Sequence, residues 1–288
     1  MQTQDKTKKN TIHNLIIFTI AVLSIGWIGH GLDILLDNPS SESLGMLLWI
    51  VTPLGACLLL RGFAGDGWKD FGIKLNFKGN LIGYTISLLI FPVVTVLVLT
   101  IGRAVGFISF PTSTLNTLRE FLPVFTLALI PGFFKNIFEE SAWRGYLTPR
   151  VFSLNLNDYA GHVIVGLIWA LWHVPYYLFF LNRAILRDYT TLNMATFIPI
   201  ALVTIVSYSL VFGEIRLLTG SIWPAVLMHM VEDALINPLI VEDFIKIKPG
   251  MDIVFSPGVS ILAIFFFALI GFLLRKLRIA RFQTQNFS

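Results

Sequence analysis

Two adjacent carboxylates followed one helical turn later by an arginine form the motif that is most typical of catalysis in this chain. Glu139, Glu140 and Arg144 lie in an otherwise apolar stretch. Residues four apart share a helix face, so Glu140 and Arg144 are expected to pair, whereas Glu139 points about 100° away. Adjacent carboxylates in a low dielectric repel each other, which disfavours ionisation of both. Glu139 is therefore a candidate general base that takes a proton from water.

Two histidines in other apolar stretches add groups that can hold a water, a proton or a metal. His173 follows Trp169 by four residues, and His229 precedes Asp233 by four. The second spacing places both side chains on one helix face, where they could ligate one centre or where the carboxylate could orient the imidazole. His173 alone would more often be a hydrogen-bonded packing residue. Glu232, rotated about 100° from its neighbour Asp233, is left out of the predicted site.

Composition places these motifs in a membrane protein. Of the 288 residues, 55% are hydrophobic and 13% charged, and the mean hydropathy is +0.76, whereas soluble domains carry roughly 25% charged residues. These values exclude a disordered chain, a soluble globule and a secreted disulfide scaffold, the last also because Cys57 is the single cysteine. A membrane-crossing helix needs about 20 apolar residues. We therefore expect an all-α polytopic protein whose residues 1–288 form a single transmembrane domain. Its eight transmembrane helices are predicted at about 14–36, 43–62, 80–103, 121–150, 159–182, 195–214, 220–240 and 256–275.

Lysines and arginines predict the orientation of these helices, because cytoplasmic flanks are enriched in them. Thirteen lie on the side of the N terminus: Lys6, Lys8, Lys9, Arg61, Lys69, Lys74, Lys78, Arg150, Arg216, Arg275, Lys276, Arg278 and Arg281. Six lie on the other side: Arg103, Arg119, Arg183, Arg187, Lys246 and Lys248. Both termini are thus expected in the cytosol, with the protein in the cell membrane and no nucleic-acid partner. Residues 66–79, which mix aromatic side chains with lysines, are predicted to lie along the cytoplasmic interface.

Ionisable side chains in a bilayer are costly and tend to mark function. At about 1.5 Å per residue, Glu139, His173 and His229 lie about 16, 20 and 12 Å from the cytosolic ends of their segments. The three clusters are therefore expected to meet in the cytosolic half of the membrane. Together they hold too many buried polar groups for packing alone.

The three clusters, in this order, resemble the motifs of the CPBP superfamily of intramembrane proteases, also called type II CAAX endopeptidases or Abi proteins. They appear here as Glu139-Glu140-x-x-x-Arg144, Trp169-x-x-x-His173 and His229-x-x-x-Asp233. The stretch Trp143-Arg144-Gly145-Tyr146-Leu147 is similar to the bacterial branch. The resemblance covers about residues 121–240, the expected catalytic core. Trp169 departs from the usual Phe, and Asp233 takes a position that is Asn or Asp in the family.

The resemblance implies a bundle of eight helices and an endopeptidase that cleaves a membrane-associated peptide or lipidated protein tail near the cytosolic face. Glu139 would activate the water, and His173, His229 and Asp233 would hold that water or a metal bearing it. Glu140 and Arg144 would fix the helix and Glu139. As a metalloprotease, the enzyme would ligate zinc through Glu139, His173, His229 and Asp233. A metal-free glutamate protease is equally compatible with these residues.

Two other classes of function stay open. A non-enzymatic immunity or scaffold protein would bind a peptide or partner in the same cavity, since some relatives are linked to bacteriocin self-protection. A transporter would use Glu139, Glu140 and His173 as a proton relay, but neither an internal repeat nor paired broken helices support this class. Serine and cysteine offer no competing nucleophile: Cys57 lies apart in the second segment, and Ser141 has no histidine within its motif.

Overall fold

The computed structural model describes residues 2–38 and 42–285, and it is helical almost throughout. The helices are α1 (Gln2–Leu35), α2 (Leu44–Phe63), α3 (Leu81–Ala104), α4 (Thr114–Ala142), α5 (Thr148–Phe152), α6 (Asp158–Pro175), α7 (Arg183–Tyr189), α8 (Met194–Thr219), α9 (Trp223–Val241), α10 (Asp252–Phe255) and α11 (Ile261–Gln285). A π-helical turn, Trp143–Leu147, joins α4 to α5, and a second, Tyr176–Phe180, extends α6. Two short strands, β1 (Ile108–Ser109) and β2 (Lys246–Ile247), pair antiparallel. The predicted all-α fold is confirmed.

Seven helical segments of the described residues are long and apolar enough to cross a membrane. They are Lys8–Leu35, Leu44–Phe63, Leu81–Ala104, Thr114–Phe152, Asp158–Phe180, Met194–Thr219 and Trp223–Val241, and they coincide with the first seven predicted segments. The apolar part of the eighth segment is shorter than predicted, because Pro257 and Gly258 lie in irregular structure and α11 begins only at Ile261. Since Arg275 ends the apolar part of α11, that part rises only about 21 Å, against a hydrocarbon core of about 30 Å.

Short polar side chains determine where several helices begin. Ser43, Ser113 and Asn193 each precede a long helix and accept a hydrogen bond from a backbone N–H of its first turn. Such caps satisfy donors that have no partner within the helix. Helix α1 then packs along α2, α4 along α9, and α8 along both α6 and α11. The core lies where α4, α6, α8 and α9 meet, around buried Trp143, Trp169 and Phe212.

The turns between the helices lie on two opposite faces of the bundle. The first face, called the basic face, carries the start of α1, the end of α11, and residues 64–80, 153–157 and 220–222. Hydrogen bonds join these segments: Asn76 donates to the carbonyls of Thr219 and Gly220, and Arg281 donates to Asn80. The second face, called the opposite face, carries residues 36–38, 105–113, 181–193 and 242–260. Strand pairing joins 105–113 to 242–260, and hydrogen bonds to Asp252 join 181–193 to the same segment. The alternation assumed in counting the basic residues is therefore present. Its orientation relative to the cytosol stays a prediction.

The segment predicted to lie along the interface, residues 66–79, is irregular and contains no helix. Trp68, Ile73 and Phe77 are about half exposed on the basic face. Phe71 is buried instead and packs on Gly145, where an added Cβ would lie 2.7 Å from its ring. The segment thus presents apolar side chains outward and also covers the end of the bundle.

Candidate active site

A cavity of about 490 Å³ lies between α2, α4, α6, α8 and α9. Glu139 reaches it from α4, His173 from α6, and His229 and Asp233 from α9. The packing of α4 on α9 and of α6 on α8 brings these helices together. Four of the six predicted site residues therefore line one cavity.

The other two predicted residues, Glu140 and Arg144, lie behind the cavity wall with fully buried side chains. Arg144 Nη1 donates to Glu140 Oε1 at 3.1 Å, as the four-residue spacing predicts. The guanidinium lies 4.0 Å from the ring centroid of Trp169 and 4.5 Å from that of Phe212, so aromatic faces cover its charge. Glu140 Oε1 also accepts a hydrogen bond from His229 Nδ1 at 2.8 Å. The ion pair thus ties α4 to α6, α8 and α9.

Both histidines are held by one ring nitrogen, which leaves the other available. His173 Nδ1 lies 2.8 Å from the carbonyl oxygen of Trp169; because a carbonyl only accepts, Nδ1 carries a proton. His229 Nδ1 is held by Glu140, and its Nε2 lies 3.8 Å from Glu232. The centroids of the two rings lie 5.9 and 5.7 Å from that of Trp169. Trp169, in place of the usual Phe, therefore forms an aromatic wall that both histidines share.

Glu139 presents one carboxylate oxygen that is not bonded to protein. Its side chain is only 5% exposed, and its Oε1 lies 3.5 Å from Lys135 Nζ. Its Oε2 is buried and makes no hydrogen bond to any residue in 2–38 or 42–285. Glu139 also lines the cavity, and a carboxylate oxygen without a protein partner can accept a proton from a water molecule that reaches it.

Asp233 bonds to α4 rather than to its helix neighbour His229. Its two oxygens lie 3.0 and 2.9 Å from Lys135 Nζ, and Asn136 Nδ2 donates to Oδ2 at 2.7 Å. The predicted alternative in which Asp233 orients the imidazole is therefore corrected: Glu140 does so. The physical reason is that α4 packs along α9, which places Lys135 and Asn136 against Asp233.

Three polar residues of the site were missed by the sequence analysis: Lys135, Asn136 and Glu232. Lys135 and Glu232 line the cavity, and Asn136 is fully buried beside it. The signal for Lys135 was its charge within an apolar span and its position four residues before Glu139, on the same helix face. Glu232 was set aside because of its rotation on the helix, yet the cavity is wide enough to include it.

The four residues predicted to ligate a metal do not form one group of donors. Within the described residues, the ligand atoms that lie within 4.8 Å of one another belong to His229, Glu232 and Asp233, without Glu139 or His173. Both oxygens of Asp233 already bond to Lys135 or Asn136. The lysine ammonium thus lies between Asp233 and Glu139, and the four predicted ligands do not form a single group of metal donors in this arrangement.

Comparison with known proteins agrees with the motifs. Residues 119–235 match the family model described as type II CAAX prenyl endopeptidase Rce1-like, and no curated protein matches the chain. The matched range contains all six predicted site residues and most of the helices that surround the cavity. Residues 119–235 of this polytopic membrane protein are therefore similar to the Rce1-like type II CAAX prenyl endopeptidases, as its three motifs predicted.

Proposed function

We propose that the protein is an intramembrane endopeptidase that cleaves a membrane-associated peptide with a water molecule activated by Glu139. The observation that carries the proposal is that Glu139 lines a cavity together with His173 and His229 and has one carboxylate oxygen, Oε2, without a hydrogen-bond partner among the described residues. The match to a family of CAAX prenyl endopeptidases supports the same reaction class.

In the proposed reaction, Glu139 Oε2 takes one proton from the water molecule, and the water oxygen bonds to the scissile carbonyl carbon. His173 Nδ1 is bonded to the carbonyl of Trp169, so Nε2 is free. Nε2 accepts a hydrogen bond from the second O–H of the water and so orients it. The carbonyl oxygen gains negative charge, to which the ammonium of Lys135 can donate. When the carbon–nitrogen bond breaks, Glu139 returns its proton to the leaving amine.

We further propose that this chemistry proceeds without a metal. Lys135 lies between Asp233 and Glu139 and supplies a positive charge at the place where a dication would lie. Glu140 and Arg144 act through others: Glu140 holds His229, and Arg144 balances the buried charge of Glu140. They are positioning residues, because neither lines the cavity.

The proposed substrate is a peptide or protein segment that is lipid-modified or apolar. The family description names prenyl substrates, and the cavity offers a matching surface, since its walls beyond the polar groups are largely aromatic. Tyr176, Tyr177, Phe197 and Tyr208 line it. A prenyl group or an apolar side chain would gain free energy from burial against these rings.

The test is hydrolysis of a quenched fluorescent peptide with a prenylated C-terminal cysteine motif, by protein reconstituted in liposomes. Glu139→Gln removes the base but keeps the size of the side chain, so we expect kcat/KM to fall by about 10²–10⁴-fold. The matched control is Glu120→Gln, since Glu120 is exposed on the same helix α4 and does not line the cavity.

Undiminished turnover by Glu139→Gln would reject the proposed role of Glu139. A deletion strain separates catalysis from binding: full rescue of its phenotype by Glu139→Gln would favour the immunity or scaffold alternative.

A further inference from the structure

Glu232 lines the cavity but has no part in the proposed reaction. It lies on α9, three residues after His229 and directly before Asp233. Its Oε2 lies 3.8 Å from His229 Nε2, a distance that is too long for a hydrogen bond. Within residues 2–38 and 42–285, no donor bonds to its carboxylate. Unlike Glu140 and Asp233, Glu232 therefore joins no two helices by a hydrogen bond.

The cavity carries more negative than positive side chains. Among the described residues, Lys135 is the only lysine or arginine that lines it, and its ammonium already lies between Asp233 and Glu139. The ion pair behind the cavity wall is neutral by itself. The carboxylates of Glu139, Glu232 and Asp233 thus share one permanent cation. Even a protonated His229 would leave one negative charge without a partner.

An unpaired carboxylate inside a membrane-spanning helix is costly, and such groups usually have a cationic partner or mark the path of a ligand. Glu232 belongs to the transmembrane segment Trp223–Val241. A lysine or arginine side chain of a bound peptide would supply the cation that the protein lacks at this position. Tyr177, Tyr189 and Tyr208 line the same cavity, and the faces of aromatic rings attract cations.

The acidic lining continues toward the exposed end of α9. Glu242 also lines the cavity and is exposed; it follows Glu232 by ten residues, about 15 Å along a helix. Basic residues occur in the neighbouring segments but do not line the cavity: Arg183, Arg187, Lys246 and Lys248. A cleft lined by charges of one sign raises the local concentration of ligands with the opposite charge. The cavity therefore favours entry of a positively charged segment.

Resting on the proposed function, we propose that Glu232 selects substrates that carry a lysine or arginine within two residues of the scissile bond. Because Glu232 lies 3.8 Å from His229, a cation bound to its carboxylate is close to the reactive groups. The flexible stem of lysine or the fork of arginine can reach it from a residue near the scissile bond. The substrate class is then a membrane-associated peptide that combines a lipid or apolar group with an adjacent basic residue.

The test compares two quenched fluorescent peptides that differ at one position. Both contain a prenylated cysteine; one carries lysine and the other norleucine, which keeps the lysine stem without its charge, directly before or directly after that cysteine. At one or both positions, we expect the unchanged protein in liposomes to cleave the lysine peptide with a kcat/KM about 10–100-fold higher, the effect of one hydrogen bond between charged groups.

Three variants show whether the carboxylate of Glu232 causes this preference. Glu232→Gln should bring the ratio of the two kcat/KM values close to one, whereas Glu232→Asp, which keeps the charge, should retain a preference for lysine. The matched control is Asp188→Asn, since Asp188 is exposed on α7 and does not line the cavity; it should leave the ratio unchanged. Because each ratio is taken within one variant, an inactive fraction of the protein does not affect it.

Equal cleavage of both peptides by the unchanged protein would overturn the inference and leave the proposed function intact, as would a preference for lysine that Glu232→Gln retains. If the unchanged protein cleaves no peptide, the proposed function fails, and binding decides about Glu232. Fluorescence anisotropy of the two labelled peptides with protein in nanodiscs should then show tighter binding of the lysine peptide, lost in Glu232→Gln. Equal or absent binding of the two peptides would reject the inference.

Discussion

At the scale of single residues, Lys135 sets the charge balance of the site. Its ammonium lies 2.9 Å from an oxygen of Asp233 and 3.5 Å from Glu139 Oε1. Without it, the carboxylates of Glu139, Glu232 and Asp233 would face one cavity in a medium where like charges repel strongly. A dication could serve the same purpose, but it would have to displace the lysine. Lys135 therefore distinguishes the metal-free scheme from the metal-dependent one.

Replacing Lys135 by methionine should remove this charge while keeping most of the volume of the side chain. We expect Lys135→Met to lower kcat by about 10²–10³-fold, the usual effect of losing one group that stabilises an oxyanion. The unchanged enzyme should keep its activity in 1,10-phenanthroline. Both are measured with the prenylated peptide, and Lys74→Met, an exposed change outside the cavity, is the control. Inactivation by the chelator that added zinc reverses would contradict the scheme.

Contacts within one helix were predictable from sequence, whereas contacts between helices were not. The pair of Glu140 with Arg144 follows from a spacing of four. The bond of Glu140 with His229 and that of Asp233 with Lys135 join α4 to α9, so they depend on how the two helices are rotated against each other. Hydrophobicity fixes that rotation poorly in a membrane, where lipid and protein are equally apolar. Four of the six predicted residues therefore line one cavity, but their partners on neighbouring helices were not predicted.

At the scale of elements, the contact of α1 with α2 supports one wall of the cavity. The two helices meet at Gly29 and Gly45, and a Cβ on Gly29 would lie 2.7 Å from the carbonyl oxygen of Gly45. Asp33 accepts a hydrogen bond from the backbone N–H of Gly45 at 2.8 Å. Helix α2 in turn places Trp49 against α6, where its indole N–H donates to the carbonyl of Trp172 at 2.8 Å. Small residues at this crossing thus help to position the cavity.

Gly29→Ala should destabilise the protein, because the new methyl group meets backbone that cannot move aside. We expect a loss of about 1–3 kcal/mol, the usual cost of an overpacked contact, measured as a lower Tm in detergent. Gly31→Ala is a matched control two residues away, where an added Cβ meets nothing within 4 Å. That change should be neutral or slightly stabilising, since alanine favours a helix by about 1 kcal/mol over glycine. Equal effects of the two changes would contradict the close approach of α1 and α2.

Among the elements, apolar length predicted the helices, and local irregularity escaped prediction. The ends of the first seven segments were placed within about seven residues, because about 20 apolar residues in sequence have few other structures in a membrane. The π-helical turn Trp143–Leu147 could not be foreseen. There Arg61 and Arg216 bond to the carbonyls of Gly145 and Arg144, and both arginines come from distant helices. Tertiary contacts of this kind leave no periodic signal.

At the scale of the whole molecule, the grouping of the turns on two faces was predictable and the direction of the cavity was not. Successive spans cross the membrane in opposite directions, so the connections between them lie alternately on the two faces. The basic residues in these connections could therefore be assigned to a face from sequence. The expected depths of Glu139, His173 and His229 in the membrane assume straight helices that end at the predicted residues. Helix α4 and its continuation span Thr114–Phe152, far more than one crossing needs. Only the three-dimensional packing shows that Arg61 and Arg216 hold residues 64–80 against the bundle, while the cavity is lined from α7 and the end of α9.

The last helix is fastened to the middle of the chain by Arg278, and this contact yields a test of the architecture. Arg278 donates to Glu214 of α8 at 2.6 Å and to Asp158 of α6 at 2.7 Å. Glu214 is fully buried and is also bonded to His162 of α6 at 2.8 Å. Arg278→Met would leave the Glu214 carboxylate with a single partner.

We expect this change to cost about 1.5–3 kcal/mol, the range for a hydrogen bond to a charged group, and to lower the Tm in detergent. Lys276→Met is the control, because Lys276 is exposed on the same helix and lies against Phe272. An unchanged Tm for Arg278→Met would show that α11 is held to the bundle by its apolar face alone. The hydrogen bonds to α6 and α8 would then contribute nothing measurable to the stability of the protein.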